Sequence, residues 1–182
     1  MLKFFSYCPQ CASQNFDFEN YHRFECKDCK FVYYHNVASA VIVLVERDGK
    51  FLFTRRSNEP AKGTLDFPGG FVDPGENAQQ AASREMQEEL NLIIKPEKLQ
   101  LLHTESNDYE FRDIMYRTLD VVFYISLSAF PKLKIDASEI DEILWLSPTE
   151  VNVEDVGFKS TKKIVEQFII SGKLLEKIKA EQ

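Results

Sequence analysis

All four cysteines of this 182-residue chain fall within its first 29 residues, as "CPQC" (Cys8, Cys11) and "CKDC" (Cys26, Cys29). Fourteen residues separate the two pairs, one fewer than the usual range for paired CxxC knuckles. Such pairs present four thiolates to one zinc ion, and a segment this short needs that kind of staple because it cannot build a core alone. Two disulfides are the alternative. They are disfavoured because "MLKFFSYCPQC" lacks the apolar stretch and small-residue cleavage site of an export signal. A closed four-cysteine site leaves no coordination position for a substrate, so its expected task is folding. Residues 1–36 are therefore read as a zinc ribbon, and 37–182 as the domain that supplies the main core.

The ribbon carries aromatics at Phe4, Tyr7, Phe16, Phe18, Tyr21, Phe24 and Phe31, which could stack on nucleic acid or pack the ribbon and its junction. Its charges favour packing. Lys3, Arg23, Lys27 and Lys30 are balanced by Asp17, Glu19, Glu25 and Asp28 before any thiolate is counted. The whole chain carries a net charge of -7, which argues against broad nucleic-acid contact. A small phosphate-bearing ligand held through metal ions is not excluded by that charge. The longest apolar run, "AVIVLV" at Ala40 to Val45, is too short to span a bilayer, so no membrane contact and a cytoplasmic location are expected.

Beyond the ribbon, "FVYYHNVASAVIVLVE" and "FLFTRRS" flank an Asp48–Gly49 turn and read as a hairpin. "LQLLHTES", "YRTLDVVFYISL" and "EILWL" read as further strands. In "SPTE", Ser147 as cap, Pro148 at the first position and Glu150 three residues on predict a helix start. A closing helix is expected from the spacing of Ile164, Phe168, Ile169, Leu175 and Ile178.

Between these strands lies "GGFVDPGENAQQAASREMQEELNL", Gly69 to Leu92. Asn77 can cap a helix with Gln80 answering three residues on, and Asn91 can take the left-handed conformation that ends it. On that helix Glu85, Glu88 and Glu89 stand at i, i+3 and i+4, where like charges repel. Arg84 can pair with Glu88 but cannot neutralise all three. A solvated acidic face is the plain explanation. Gly69, Gly70 and Gly75 tip the balance, because they let backbone amides approach phosphate oxygens next to carboxylates suited to Mg²⁺ or Mn²⁺.

From Gly70, the spacing to Glu76 and then to "REMQEELNL" closely resembles the Nudix box, with Asn91 where that pattern has glycine. The resemblance implies a mixed-sheet α/β/α sandwich whose loop-helix-loop binds divalent metal for hydrolysis of nucleoside diphosphates linked to another group. Carried over by position, Glu85, Glu88 and Glu89 would be the metal ligands, with Glu88 or Glu89 nearest the attacking water. Arg84 would orient a neighbouring carboxylate, and Gly70 with Glu76 would shape the loop. The family's general base varies and sometimes lies outside the box. Glu139 and Glu142, just before the last strand, are the choices here, with solvated loop charges as the alternative.

A four-cysteine ribbon ahead of such a box is similar to the NADH pyrophosphatase branch, whose members cleave NADH and act on NAD-capped RNA. That branch's "SQPWPFPxS" motif is absent, and Asn107 and Asp108 occupy the region where many ADP-ribose hydrolases carry proline. Tyr109, seventeen residues past Leu92, stands about where dinucleoside polyphosphate hydrolases stack a base, although an ordinary strand aromatic is the commoner case. Arg55 and Arg56, at the end of the second hairpin strand, are expected to face the glycine loop as phosphate contacts, or to be a solvated pair. The function so implied is Mg²⁺- or Mn²⁺-dependent hydrolysis of the pyrophosphate linkage in a dinucleotide, an NADH-like molecule or a related nucleotide, with a capped RNA end as the one nucleic-acid partner to expect. The alternative is a Nudix-like nucleotide sensor whose ribbon contacts a partner. Family members commonly form homodimers.

Overall fold

The computed structural model describes residues 5–19, 22–111 and 114–174, with residues 111, 114 and 115 as backbone alone. Lys3, Phe4, Tyr21, Leu175 and Ile178 lie outside the described residues. The chain forms two compact units, Met1–Val37 and Ala38–Gln182.

In the first unit, strands β1 (Phe16–Glu19), β2 (Arg23–Cys26) and β3 (Val32–Tyr34) make an antiparallel sheet in the order β1-β2-β3. Phe24 is fully buried at its centre, with the rings of Phe5 and Phe16 centred 4.9 and 4.7 Å away. The aromatics of the ribbon thus pack on one another, which supplies apolar contact that so few residues could not otherwise gather.

The second unit is built on a six-stranded mixed sheet. Strands β4 (Ala38–Arg47), β5 (Lys50–Arg56), β6 (Leu65–Asp66), β7 (Gln100–Phe111) and β8 (Ile114–Ser126) run in the order β6-β5-β4-β8-β7, and β9 (Ile140–Leu146) pairs with β5. The β4–β8 pair is parallel, from Ala38 beside Thr118 to Glu46 beside Ser126, and all other pairs are antiparallel. Alternation along β4 sends Val41, Val43 and Val45 to one face and Ile42 and Leu44 to the other. The first face packs on helix α1 (Ala78–Leu90) through Ala81, Ala82, Met86 and Leu90. The second packs on α2 (Lys159–Ile164) and the π-helical turn Val165–Ile170 that continues it, through Ile164, Val165, Phe168 and Ile169. Both faces being covered explains why β4 reads as an unbroken apolar run.

Three sequence expectations need correction. The hairpin forms only next to its turn, where Glu46 pairs Phe51 and Arg47 pairs Lys50; farther on, β4 turns to β8 and β5 to β9, because each strand has a longer partner elsewhere. At "SPTE" half of the capping box forms, with Ser147 N donating to Glu150 Oε2 at 2.8 Å, but Ser147 Oγ donates to the same carboxylate at 2.7 Å instead of accepting from the Glu150 amide, and the turn does not become a helix. Val151 and Val153 follow, β-branched residues that propagate a turn poorly, and Val151 is buried in the core instead. The closing helix does not run on through Gly172, which takes φ 74° and breaks it.

Candidate active site

Helix α1 begins and ends as its sequence predicts. Asn77 accepts from the Gln80 amide, Gln80 answers the Asn77 amide at 2.8 Å, and Asn91 takes φ 52° at the far end. The helix therefore sits in a fixed register. Its buried stripe is Ala81, Ala82, Met86 and Leu90, and the row from Ala81 at i+4 spacing passes through Glu85 and Glu89. Both glutamates are drawn against the sheet, with side chains 12% exposed at Glu85 and the whole of Glu89 at 8%. Glu88, rotated off that row, is 59% exposed. The acidic cluster thus divides into two sheltered carboxylates and one solvated one.

The glycine loop is shaped around the pair. Gly69 N donates to Glu89 Oε2 at 3.1 Å, and a Cβ on Gly69 would stand 2.0 Å from the Val41 carbonyl oxygen. A Cβ on Gly70 would stand 2.4 Å from Glu85 Oε1. Arg84 ties loop to helix: Nη1 donates to Glu85 and Glu88 at 2.8 Å each, and Nη2 donates to Glu76 at 2.7 Å and to the Phe71 carbonyl at 3.0 Å. Glu76 in turn accepts from the Asp73 amide at 2.8 Å. Five donors in a planar fork suit this hub, and the three carboxylates hold the Arg84 pKa above its usual value, Glu76 foremost, against the opposing effect of burial.

Glu89 faces a cavity of about 320 Å³, which Gly69, Gly70, Glu139, Arg56, Asp66 and Tyr109 also line. Burial pushes the Glu89 carboxyl well above the usual carboxylate range, and the charge of Glu85 adds to that, with Glu139 and Asp66 contributing further. Burial likewise raises Glu85. Burial therefore outweighs what Arg84 relieves at Glu85, and sheltered carboxylate oxygens of that kind fit a hard divalent cation. Among the described residues, the set whose ligand atoms already lie within 4.8 Å of one another is the cysteine tetrad, and the glutamates are spread more widely.

The predicted residues part company in several places. Glu139 lines the cavity, whereas Glu142 lies outside it and pairs with Arg55 at 3.1 Å. Arg55 and Arg56 alternate along β5, so only Arg56 reaches the cavity. There Arg56 donates to Asp66 Oδ2 at 3.1 Å and lies 5.0 Å over the Phe158 ring. Tyr109 lines the cavity with its ring 5.9 Å from Phe71 and 5.7 Å from Phe158.

Sequence reasoning passed over Asp66, Asn107, Thr118, Asp120 and Phe158, which also line the cavity. Asp120 had a visible signal, an acid inside the apolar run "TLDVVFYI". Asp66 is buried, its carboxyl raised by that burial, and accepts from the Phe67 amide and from Thr161 Oγ1 at 2.9 and 3.2 Å. Phe158 left no signal, because only tertiary packing brings it to Tyr109.

In the ribbon, Cys8 Sγ lies 3.7 Å from Cys29 Sγ and Cys11 Sγ 3.6 Å from Cys26 Sγ, with no disulfide formed. Tetrahedral zinc with Zn–S near 2.3 Å requires sulfurs about 3.8 Å apart. The backbone amide of Cys29, helped by that of Asp28 and opposed by burial, brings the Cys26 thiol down to about 7. The tetrad fits zinc in spacing and donor type.

The family model described as NUDIX domain matches residues 35–168. A NAD-capped RNA hydrolase NudC of Vibrio atlanticus is 26% identical over 158 residues, covering 86% of this chain and 55% of that protein. An ADP-ribose pyrophosphatase of Methanocaldococcus jannaschii is 35% identical over 98 residues, covering 54% of this chain and 56% of that protein. The chain thus spans little more than half the length of these relatives. Among solved structures, a NUDIX hydrolase from Nitrosomonas europaea superposes with a TM-score of 0.64 at 22% identity, covering 89% of this chain and 91% of that one. The NUDIX domain of Shewanella oneidensis NrtR complexed with ADP ribose gives 0.61 at 20% identity, covering 74% and 87%. No helix among the described residues is long and apolar enough to cross a membrane.

Proposed function

The chain belongs to the NUDIX domain family, and from that premise we propose that it is a Mg²⁺- or Mn²⁺-dependent hydrolase of the pyrophosphate linkage in a nucleoside diphosphate derivative. The observation that carries this reading is the sheltered pair Glu85 and Glu89, held by Arg84 and the glycine loop at the edge of a cavity shared with Glu139. Glu85, Glu88 and Glu89 would hold the cation. When bound, such an ion acidifies water and screens the charge of a pyrophosphate.

The remaining parts belong to the protein. Glu139 is the better-supported general base, since it lines the cavity while Glu142 is engaged with Arg55. Arg56 offers a guanidinium for phosphate oxygens, and the Asp66 carboxylate keeps its fork in place. Tyr109 offers an aromatic face to the leaving or retained nucleoside. A zinc ion held by Cys8, Cys11, Cys26 and Cys29 would be structural. The names of the two relatives support a substrate with a nucleotide diphosphate, and a NAD-like molecule, ADP-ribose or a capped RNA end all have that linkage.

The test is a product-release screen with Mg²⁺ or Mn²⁺ over NADH, ADP-ribose, dinucleoside polyphosphates, nucleotide sugars, coenzyme A and nucleoside triphosphates. Glu89→Gln is expected to lower turnover by at least about a thousandfold, because a charged oxygen donor at the cation is lost, while the melting temperature holds or rises. Silence across the panel would sink the reading. Tight nucleotide binding without turnover would replace the enzyme with a sensor.

A further inference from the structure

The cavity has a second end that phosphate chemistry leaves unused. Asn107 on β7 and Thr118 on β8 are direct partners across the ladder, and Asp120 shares the face of Thr118 two residues on. On the other side of β8, Ala38 and Ala40 of β4 stand beside Thr118 and Asp120. Two such small side chains leave this polar strip uncovered where Ile42 and Val122, one step along, fill the core.

The strip is sheltered, with Asn107 9% exposed and Thr118 and Asp120 each 4%. Thr118 Oγ1 donates to Asp120 Oδ1 at 2.7 Å. Asn107 Oδ1 is sealed from water with no hydrogen-bond partner among the described residues, and so is Ser160 Oγ in the same cavity lining. Buried polar atoms in folded proteins almost always have partners. Two orphans in the wall of one cavity are groups that a ligand can satisfy once the side chains turn toward it. The aromatic part of the lining narrows its shape: Tyr109 shares the face of Asn107, two residues along β7, and its ring meets those of Phe158 and Phe71. Apolar faces beside a hydrogen-bonding strip suit a planar heteroaromatic ring.

We propose that Asn107, Thr118 and Asp120, with Tyr109 and Phe158 as walls, form a ring-reading subsite for adenine. The primary amide of Asn107 sets an acceptor beside a donor, matching adenine's amino group and adjacent ring nitrogen whichever way the amide is turned. The Asp120 carboxylate accepts the amino group's second hydrogen and repels a carbonyl in its place. Hypoxanthine carries that carbonyl and a protonated ring nitrogen; a turned Asn107 amide can meet both, but against Asp120 the carbonyl sets acceptor against acceptor, so Asp120 supplies the discrimination. The assignment rests on the pyrophosphohydrolase reading only for the ligand being a nucleotide.

The experiment is equilibrium binding of ADP and IDP to the full chain without divalent metal, so that nothing turns over. ADP is expected to bind about tenfold tighter or more, the discrimination of one good bidentate pair. Asn107→Leu is expected to weaken binding of both nucleotides about tenfold and to leave the ratio to Asp120, while the nucleotide-free melting temperature holds or rises, because the substitution removes an orphaned acceptor. Asn107→Asp keeps the shape and accepts from a protonated ring nitrogen, so it is expected to shift preference toward IDP even if the leucine variant folds poorly. Equal binding of ADP and IDP by the unsubstituted protein, or an intact ADP preference in Asn107→Asp, overturns the assignment. Hydrolysis of some nucleotide with no base preference would leave the pyrophosphohydrolase reading standing and this one refuted. Base preference without any hydrolysis would do the reverse.

Discussion

A Cβ at position 70 would meet the Glu85 carboxylate, the far end of a flexible side chain, whereas one at position 69 would meet the Val41 backbone. The two glycines therefore fail differently when replaced. Gly70→Ala is expected to change stability by less than about 1 kcal/mol but to weaken Mg²⁺-supported activity roughly 10- to 100-fold, by displacing Glu85. Gly69→Ala is expected to destabilise by about 1–3 kcal/mol, because backbone must move. Thermal melts paired with Mg²⁺ titrations of activity separate the two, and identical behaviour would contradict the contacts. Arg84→Lys tests the hub in the same way: an ammonium cannot reach Glu76, Glu85, Glu88 and the Phe71 carbonyl together, so a roughly 10- to 100-fold loss is expected despite the retained charge. Much of this was legible beforehand. The resemblance to the Nudix box implied that Gly70 and Glu76 shape the loop and that Arg84 orients a carboxylate, and Asn91 ends the helix in the left-handed conformation its side chain tolerates. The split among the glutamates was not legible, because burial of Glu85 and Glu89 depends on which side of α1 the sheet takes.

At the scale of elements, α1 presses two carboxylates against the sheet, and their protonation must couple to folding. Burial raises both Glu85 and Glu89, so in the metal-free protein the folded state holds their protons more tightly than the unfolded chain does. The stability this contributes is fully present below the unfolded carboxylate pKa and is lost as pH rises through the raised folded values. Metal-free protein is therefore expected to melt at falling temperature as pH climbs from the ordinary carboxylate range toward neutral. Added Mg²⁺ should flatten that slope by taking the proton's place. Melting curves across pH with and without Mg²⁺ check this, and a slope indifferent to the ion would remove these carboxylates as its ligands. Elements also mark where local signals lost to tertiary demand. "SPTE" makes half of its capping box, but Val151 packs in the core and no helix follows. The hairpin signal at Asp48–Gly49 set the turn but not the strand partners, since a two-residue turn fixes only the nearest register and β8 and β9 offer longer ladders.

For the molecule as a whole, the proposed reading gives the two units different sources of stability: a zinc ion at the cysteine tetrad would staple the small cluster of Met1–Val37, whereas Ala38–Gln182 has a two-faced hydrophobic core. A strong chelator is expected to release one zinc per chain and expose four reactive thiols while the emission of Trp145, the sole tryptophan, stays put. Trp145 belongs to β9 and packs against Phe130, 5.1 Å between ring centres, so a shifted emission on chelation would contradict that division. The sequence by itself determined the cysteine knuckles, the register of α1 and the side chains that its loop offers, because cysteine spacing, capping residues and side-chain identity act over a few neighbouring positions. Only the tertiary structure decided that Glu139 and not Glu142, Arg56 and not Arg55, would face the cavity. It also brought Asn107, Asp120 and Phe158 there from separate elements. Strand pairing and helix docking set those choices, and both depend on contacts between residues far apart in the chain.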